Sequence, residues 1–143
     1  MDTFWFRVLL VDDDPAMLAS MDAVLADHFR VRTCASPHMA LRLVEREDYD
    51  VVCMDWKMPD MDGIEFFRAM ELQQGSEMPC CILITAHAAE LLDKVSMEDR
   101  KLLGMLRKPF SPDELVERVS LFANLSNMKR SNSRLKAALR GAS

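Results

Sequence analysis

Five residues whose chemistry belongs together are scattered through the sequence: Asp12 and Asp13, Asp55, Thr85, and Lys108. Each follows or closes a short apolar run, and each of the four groups is succeeded by turn-forming residues. Carboxylates crowded to about 4 Å repel by roughly 4 kcal/mol each at an effective dielectric near 20, so such a cluster calls for a counter-ion. An all-oxygen, carboxylate-rich set suits Mg²⁺, which keeps waters and takes only one or two protein carboxylates. Lys108 would add a second positive charge and Thr85 a hydroxyl. Together these parts fit one reaction, in-line attack of a free carboxylate on a phosphoryl group, with cations and donors on the equatorial oxygens.

The elements that must carry these residues are legible as alternating strand and helix signals. Arg7–Val11 is an apolar run ending at Asp12-Asp13-Asp14-Pro15, where Asp14 and Pro15 read as N-cap and first helical residue. Met17, Leu18, Met21, Val24 and Leu25 give the first helix its inner face. Residues 29–34 read as a second strand, and Ser36-Pro37 opens a second helix with Ala40, Leu41 and Val44 inward. Val51–Met54 is a fully apolar third strand that stops at Asp55; Ile64, Phe67 and Met70 or Glu71 then continue at helical spacing. Residues 79–84 form a fourth strand ending at Thr85-Ala86-His87. A short helix through Leu91, Leu92 and Val95 follows, with another expected from Ser96. Residues 104–107 are the fifth strand, and Ser111-Pro112-Asp113-Glu114 reads as a capping box opening the last helix, with Leu115, Val116, Val119, Phe122 and Ala123 inward.

This (βα)₅ alternation implies a parallel sheet with helices on both faces and right-handed crossovers. In open sheets of that kind ligands bind outside the carboxyl ends of the strands. That edge is where the acid pair, the single acid, the hydroxyl and the amine fall.

The chain's 143 residues fit one domain with a real core, and its 50% hydrophobic and 29% charged content is that of a globular protein. No window has the roughly 18 apolar residues of a membrane span. With an N-terminus that lacks a cleavable signal pattern, the expected compartment is the cytoplasm. Cys34, Cys53, Cys80 and Cys81 form no C-x-x-C pair and read as core residues rather than metal or redox groups. His28 and His38 read as surface residues, and Trp56 is expected to be partly exposed. Residues 126–143 carry Lys129, Arg130, Arg134, Lys136 and Arg140 without an acid, leaving 13 basic against 23 acidic residues in 1–125. The body is therefore no electrostatic match for nucleic acid, and no direct contact with it is expected from residues 1–123.

Asp12-Asp13, Asp55 within Met54-Asp55-Trp56-Lys57-Met58-Pro59-Asp60-Met61-Asp62-Gly63, Thr85-Ala86 and Lys108-Pro109-Phe110 resemble the receiver domain of two-component response regulators. The wording around Asp55 looks especially like the chemotaxis response regulators. The resemblance covers residues 5–123 and implies a flavodoxin-like, doubly wound, five-stranded parallel sheet. It divides the chain into a receiver domain, 1–123, and a basic helical extension or linker, 124–143.

It also implies roles. Asp55 would accept phosphate from a phosphohistidine on a histidine kinase or phosphotransfer protein, becoming an aspartyl phosphate. Asp12, Asp13, Asp55 and the backbone carbonyl of Lys57 would hold Mg²⁺ (or Mn²⁺). Thr85 and Lys108 would bind the phosphoryl group, with small Ala86 leaving it access, and the Lys108–Pro109 bond is often cis in such domains. The chain would be a switch rather than an enzyme, catalysing only its own phosphorylation and dephosphorylation. One departure stands out: the aromatic that usually lies three residues before the lysine is Met105, whose repacking would have to replace the usual threonine–aromatic switch. Lys57 and His87 lie where the family tunes hydrolysis. Two rival readings are a binding module that works without phosphate and a Mg²⁺-dependent phosphohydrolase. The second would need a general acid where Lys57 stands.

In the tail, Leu121, Leu125, Met128, Asn132, Leu135 and Leu139 succeed one another by four, three, four, three and four. This is a heptad seam with Asn132 at an a position, a pattern that favours parallel dimers. The expectation is a helical stalk that extends the last helix outward, supports a homodimer, and passes the phosphorylation state to a partner or an output domain.

Overall fold

The computed structural model describes residues 5–101 and 103–141. Five strands alternate with five α-helices: β1 (Arg7–Val11), α1 (Pro15–Leu25), β2 (Arg30–Cys34), α2 (Pro37–Arg46), β3 (Val51–Asp55), α3 (Gly63–Gln74), β4 (Cys80–Thr85), α4 (Ala88–Lys94), β5 (Leu103–Arg107) and α5 (Pro112–Gly141). They form one sheet in the order β2-β1-β3-β4-β5 with every neighbouring pair parallel. The order reverses at β1 and β3, so Asp12 and Asp55 end the two strands on either side of the switch point.

Strand alternation divides the core into two layers. Leu9, Val11, Val52, Met54 and Leu83 face α2, α3 and α4, against Val44, Ile64, Phe67 and Leu91. Val8, Leu10, Val51, Cys53, Ile82 and Ile84 face α1 and α5, against Leu18, Met21, Leu25, Leu115 and Val119. The central strands are therefore apolar on both faces, as parallel strands covered on both sides must be.

The helix starts follow their capping chemistry. Asp14 accepts from Ala16 N and Ser36 from Met39 N, each with proline just inside the helix. Asp62 and Glu65 form a reciprocal capping box on α3. At α5, Ser111 Oγ accepts from Glu114 N at 3.1 Å.

Two details differ from the sequence reading. The segment after Ser96 forms only a 3₁₀ turn, Asp99–Lys101, rather than a further α-helix; its neighbour Leu102 lies outside the described residues. Trp56 is buried, with 2% of its surface exposed. It packs into the α2–α3–α4 layer beneath the Lys57 and Lys94 ammonium groups, 5.1 and 5.6 Å from its ring. His28 and His38 are exposed, as expected, and all four cysteines are free.

Helix α5 runs unbroken for 30 residues. Its inner face buries Leu115, Val119, Ala123 and Ser126. Gly104 permits this approach, because a Cβ there would sit 2.5 Å from the Phe122 ring. Lower down, Arg130 reaches the opposite end of the sheet and donates to Asp50 Oδ1 and to the Tyr49 carbonyl, both at 2.7 Å. Asp50 Oδ2 meanwhile accepts from Arg7 N at 2.8 Å.

Candidate functional site

Asp12 follows β1 directly and is buried, whereas Asp13 beside it is exposed. Asp55 is the last residue of β3. One carboxylate oxygen from each of the three lies within 4.8 Å of the others. The Asp12 backbone N–H is held by the Cys34 carbonyl at 3.2 Å, and its Oδ1 accepts from Asp14 N at 2.9 Å. Burial pushes the Asp12 carboxyl above its ordinary value, the Asp14 N–H opposes that, and the charges of Asp55 and Asp13 reinforce it.

Lys108, just beyond β5, brings its ammonium within 3.2 Å of Asp55 Oδ1. Its backbone N–H donates to the Thr85 carbonyl at 2.8 Å, and the Lys108–Pro109 peptide is cis. Thr85 ends β4, one residue beyond the partner of Asp55 in the β3–β4 register. Its buried hydroxyl accepts from His87 N at 2.8 Å. Ala86, next along, is exposed and lines a cavity of about 470 Å³ together with Lys108, Phe110, Met17 and Met21.

The β3–α3 loop closes over the site from the other side. Trp56 N donates to Ile84 O at 3.0 Å, and Gly63 N donates to Trp56 O at 2.8 Å. Asp60 takes a left-handed turn at φ 72°, a conformation Asp tolerates better than most residues. Gly63 is required by space, since a Cβ there would meet Leu83 Cδ2 at 2.6 Å and Trp56 Cα at 3.3 Å. Lys57 turns outward to Glu90 on α4, at 3.3 Å. Sequence reasoning missed this bridge and the cover of Lys94 on Trp56, because those partners sit more than 30 residues away. The Trp56 indole N–H is buried without a partner among the described residues.

The expected residues thus share one edge: Asp12, Asp13, Asp55 and Lys108 in direct proximity, with Thr85 and Ala86 on the adjoining strand end. Met105 lies lower on β5, half-buried, beside a cavity of about 130 Å³ that it lines with Leu83, Leu91 and Val95. The stalk residues Leu121, Leu125, Met128, Asn132, Leu135 and Leu139 are far along α5 and take no part in the pocket. The donor set fits a hard divalent cation: all oxygen, three carboxylates converging, and one of them already disfavoured as a lone anion.

A doubly wound sheet with an acidic pocket at its switch point, answered by one lysine, is a frame for binding a cation and a phosphoryl group. Residues 8–120 match the family model of the response regulator receiver domain, and the chain belongs to that family. It is 34% identical over 114 residues to the cell cycle response regulator CtrA of Brucella ovis, a match covering 79% of this chain and 48% of that protein. The chain thus spans about half the length of the curated relatives it matches. Among solved structures it is similar to the chemotaxis response regulator CheY4 of Vibrio cholerae, with TM-score 0.74 and 26% identity over 83% of this chain and 99% of that one. The fold is also shared with a signal receiver domain of an HD domain-containing protein from Pseudomonas fluorescens, with TM-score 0.79 and 21% identity over 92% and 96%. The chain is therefore a receiver domain of two-component signalling, a phosphorylation-dependent switch.

Proposed function

We propose that Asp55 takes its phosphoryl group from a phosphohistidine on a histidine kinase or phosphotransfer protein, in a reaction that requires Mg²⁺ or Mn²⁺. The observation that carries this reading is the 3.2 Å contact of the Lys108 ammonium with Asp55 beside the converging carboxylates of Asp12 and Asp13. In the transfer, an Asp55 carboxylate oxygen bonds to phosphorus as the phosphorus–nitrogen bond breaks, and the electron pair returns to the imidazole. Lys108, freed from its pairing with a bare carboxylate, follows the charge onto the phosphoryl oxygens. Asp12, Asp13, Asp55 and the Lys57 carbonyl are the groups that would hold the cation, which when bound neutralises the developing charge.

On this reading Thr85, whose hydroxyl accepts from His87 N, donates its own proton to the phosphoryl group, and that new bond draws on the β4–α4 loop. With Met105 in place of an aromatic, the flexible thioether is the group that repacks into the apolar cavity beside it. The apolar groove between α1 and Phe110 opens beside Ala86 and Lys108, which supports assigning it to the donor protein. We place the chain in the cytoplasm, acting on no substrate but itself and handing its state to a partner or an output region; no described helix is long and apolar enough to cross a membrane.

Treatment with acetyl phosphate, followed by intact-mass spectrometry, tests this. The expected result is one acid-stable, base-labile adduct, formed with Mg²⁺, absent with chelator and absent in Asp55→Asn. Continuous turnover of the phosphodonor without an adduct would point to a hydrolase, and indifference to it would point to a phosphate-independent module; either refutes the reading.

A further inference from the structure

Helix α5 has two faces about 160° apart round its axis. The inner one is fully accounted for: Leu115, Val119, Ala123 and Ser126 are buried, and Arg130 is bound to Asp50 and Tyr49. The outer one presents Leu121, Leu125, Met128, Leu135 and Leu139, each between 43% and 65% exposed. A water-facing stripe of large apolar side chains along one helix is costly, and a solvated face needs none of them.

We propose that this stripe is the seam of a parallel, in-register homodimer, with the outer face of α5 in a second copy as its partner. The four-three spacing assigns Leu121, Met128 and Leu135 to d positions and Leu125, Asn132 and Leu139 to a positions. A lone Asn among apolar a positions is satisfied by its own copy across a two-stranded parallel seam, and it fixes the register there.

The flanking charges select the same arrangement. The e positions are Phe122, Lys129 and Lys136, and the g positions are the uncharged Asn124, Ser131 and Ala138. In a parallel pair each e residue meets a g residue of the other helix, so Lys136 faces Ser131 of the second copy and no like charges are opposed. Lys129 is already occupied, donating to the Met78 carbonyl at 2.8 Å on its own body. Antiparallel pairing would set e against e, lysine against lysine. A partner helix chosen for charge would be acidic and would seek a basic seam, but here the seam itself is uncharged. Arg130 and Arg134 fall at f and c positions, away from the seam.

The inner contacts also make the seam possible. By holding α5 to the body as far as Arg130, they turn the stripe outward and order the helix before any partner arrives. The seam from Leu121 to Leu139 is about 27 Å long, short of three heptads. The dimer is therefore reversible and concentration-dependent. This inference rests on α5 alone and stands apart from the phosphoryl chemistry.

Sedimentation of the full chain over a concentration series is the test. The expected outcome is a monomer–dimer equilibrium, weakened at least about tenfold in Leu135→Asp, where one exposed residue is changed and the fold is left intact. Under mild oxidation, Asn132→Cys should crosslink the two copies, whereas Arg134→Cys, on the side of the helix turned away from the seam, should lag far behind. The inference is overturned by a chain that stays monomeric at every soluble concentration, by Leu135→Asp associating like the parent, or by equal crosslinking at the two positions.

Discussion

The two ends of the central strands treat their carboxylates in opposite ways. At the amino end, Asp50 has both oxygens engaged, one by Arg130 at 2.7 Å and one by the Arg7 backbone N–H at 2.8 Å. Its charge is matched and its neighbours are fixed. At the carboxyl end, Asp12, Asp13 and Asp55 share one lysine, and burial and mutual repulsion hold the Asp12 carboxyl above its usual value. The first arrangement is finished without anything added; the second is completed by a cation and a phosphoryl group. A paired buried carboxylate holds elements together, whereas a crowded one stores a demand that a ligand can meet.

Substitutions at the two ends should therefore differ in kind. The largest effect belongs to Asp55→Asn, which should abolish the phosphoryl adduct completely while leaving the unfolding midpoint in urea close to that of the parent. Next, Arg130→Ala strips Asp50 of its charged partner. It should lower stability by about 2 kcal/mol, less than a fully buried pair would because Arg130 is partly solvated, with the rate of adduct formation unchanged. Loss of phosphorylation in that variant, or no loss of stability, would erase the distinction between the two ends.

Asp12→Asn should act with the opposite sign. Removing a buried, repelled charge should stabilise the metal-free chain by up to about 1 kcal/mol near neutral pH, and abolish stabilisation by Mg²⁺. The pH dependence follows. The folded Asp12 carboxyl lies above its ordinary value of 3.8, so just above that pH the folded chain binds more protons than the unfolded one. The contribution of Asp12 to stability is full below 3.8 and is lost as pH rises through the raised folded value. Metal-free unfolding curves across that range should show the loss in the parent and not in Asp12→Asn.

The smallest effect should be optical. In a Trp5→Phe background the Trp56 emission should be that of a buried indole and should shift only slightly with Mg²⁺, since the ring is buried and covered by Lys57 and Lys94. An emission maximum typical of exposed tryptophan would contradict the packing of the β3–α3 loop.

The functional edge was legible in the sequence because its signals are local. An apolar run followed by Asp-Asp, Asp, Thr or Lys and then a turn needs no knowledge of the rest of the chain. The helix starts at Asp14, Ser36 and Ser111 were readable for the same reason. What escaped depends on contacts between distant segments. Trp56 looks half-exposed beside Asp55 and Lys57, but α2, α3 and α4 close round it, α4 bringing Glu90 and Lys94. Gly63 read as a turn residue, whereas what excludes a side chain there is Leu83 on another strand. Asp50 and Arg130 are 80 residues apart, and nothing local to either announces the other.

Arg130 also sets the mechanics of α5. The helix begins four residues after Lys108, at the edge where phosphate would arrive, and is pinned at the opposite edge about 27 Å further along. Beyond that pin it continues for about another 16 Å. A stiff beam held in this way cannot tilt at Phe110 without moving Leu115, Val119 and Ala123 in the core and carrying the turns beyond Arg130 along with it.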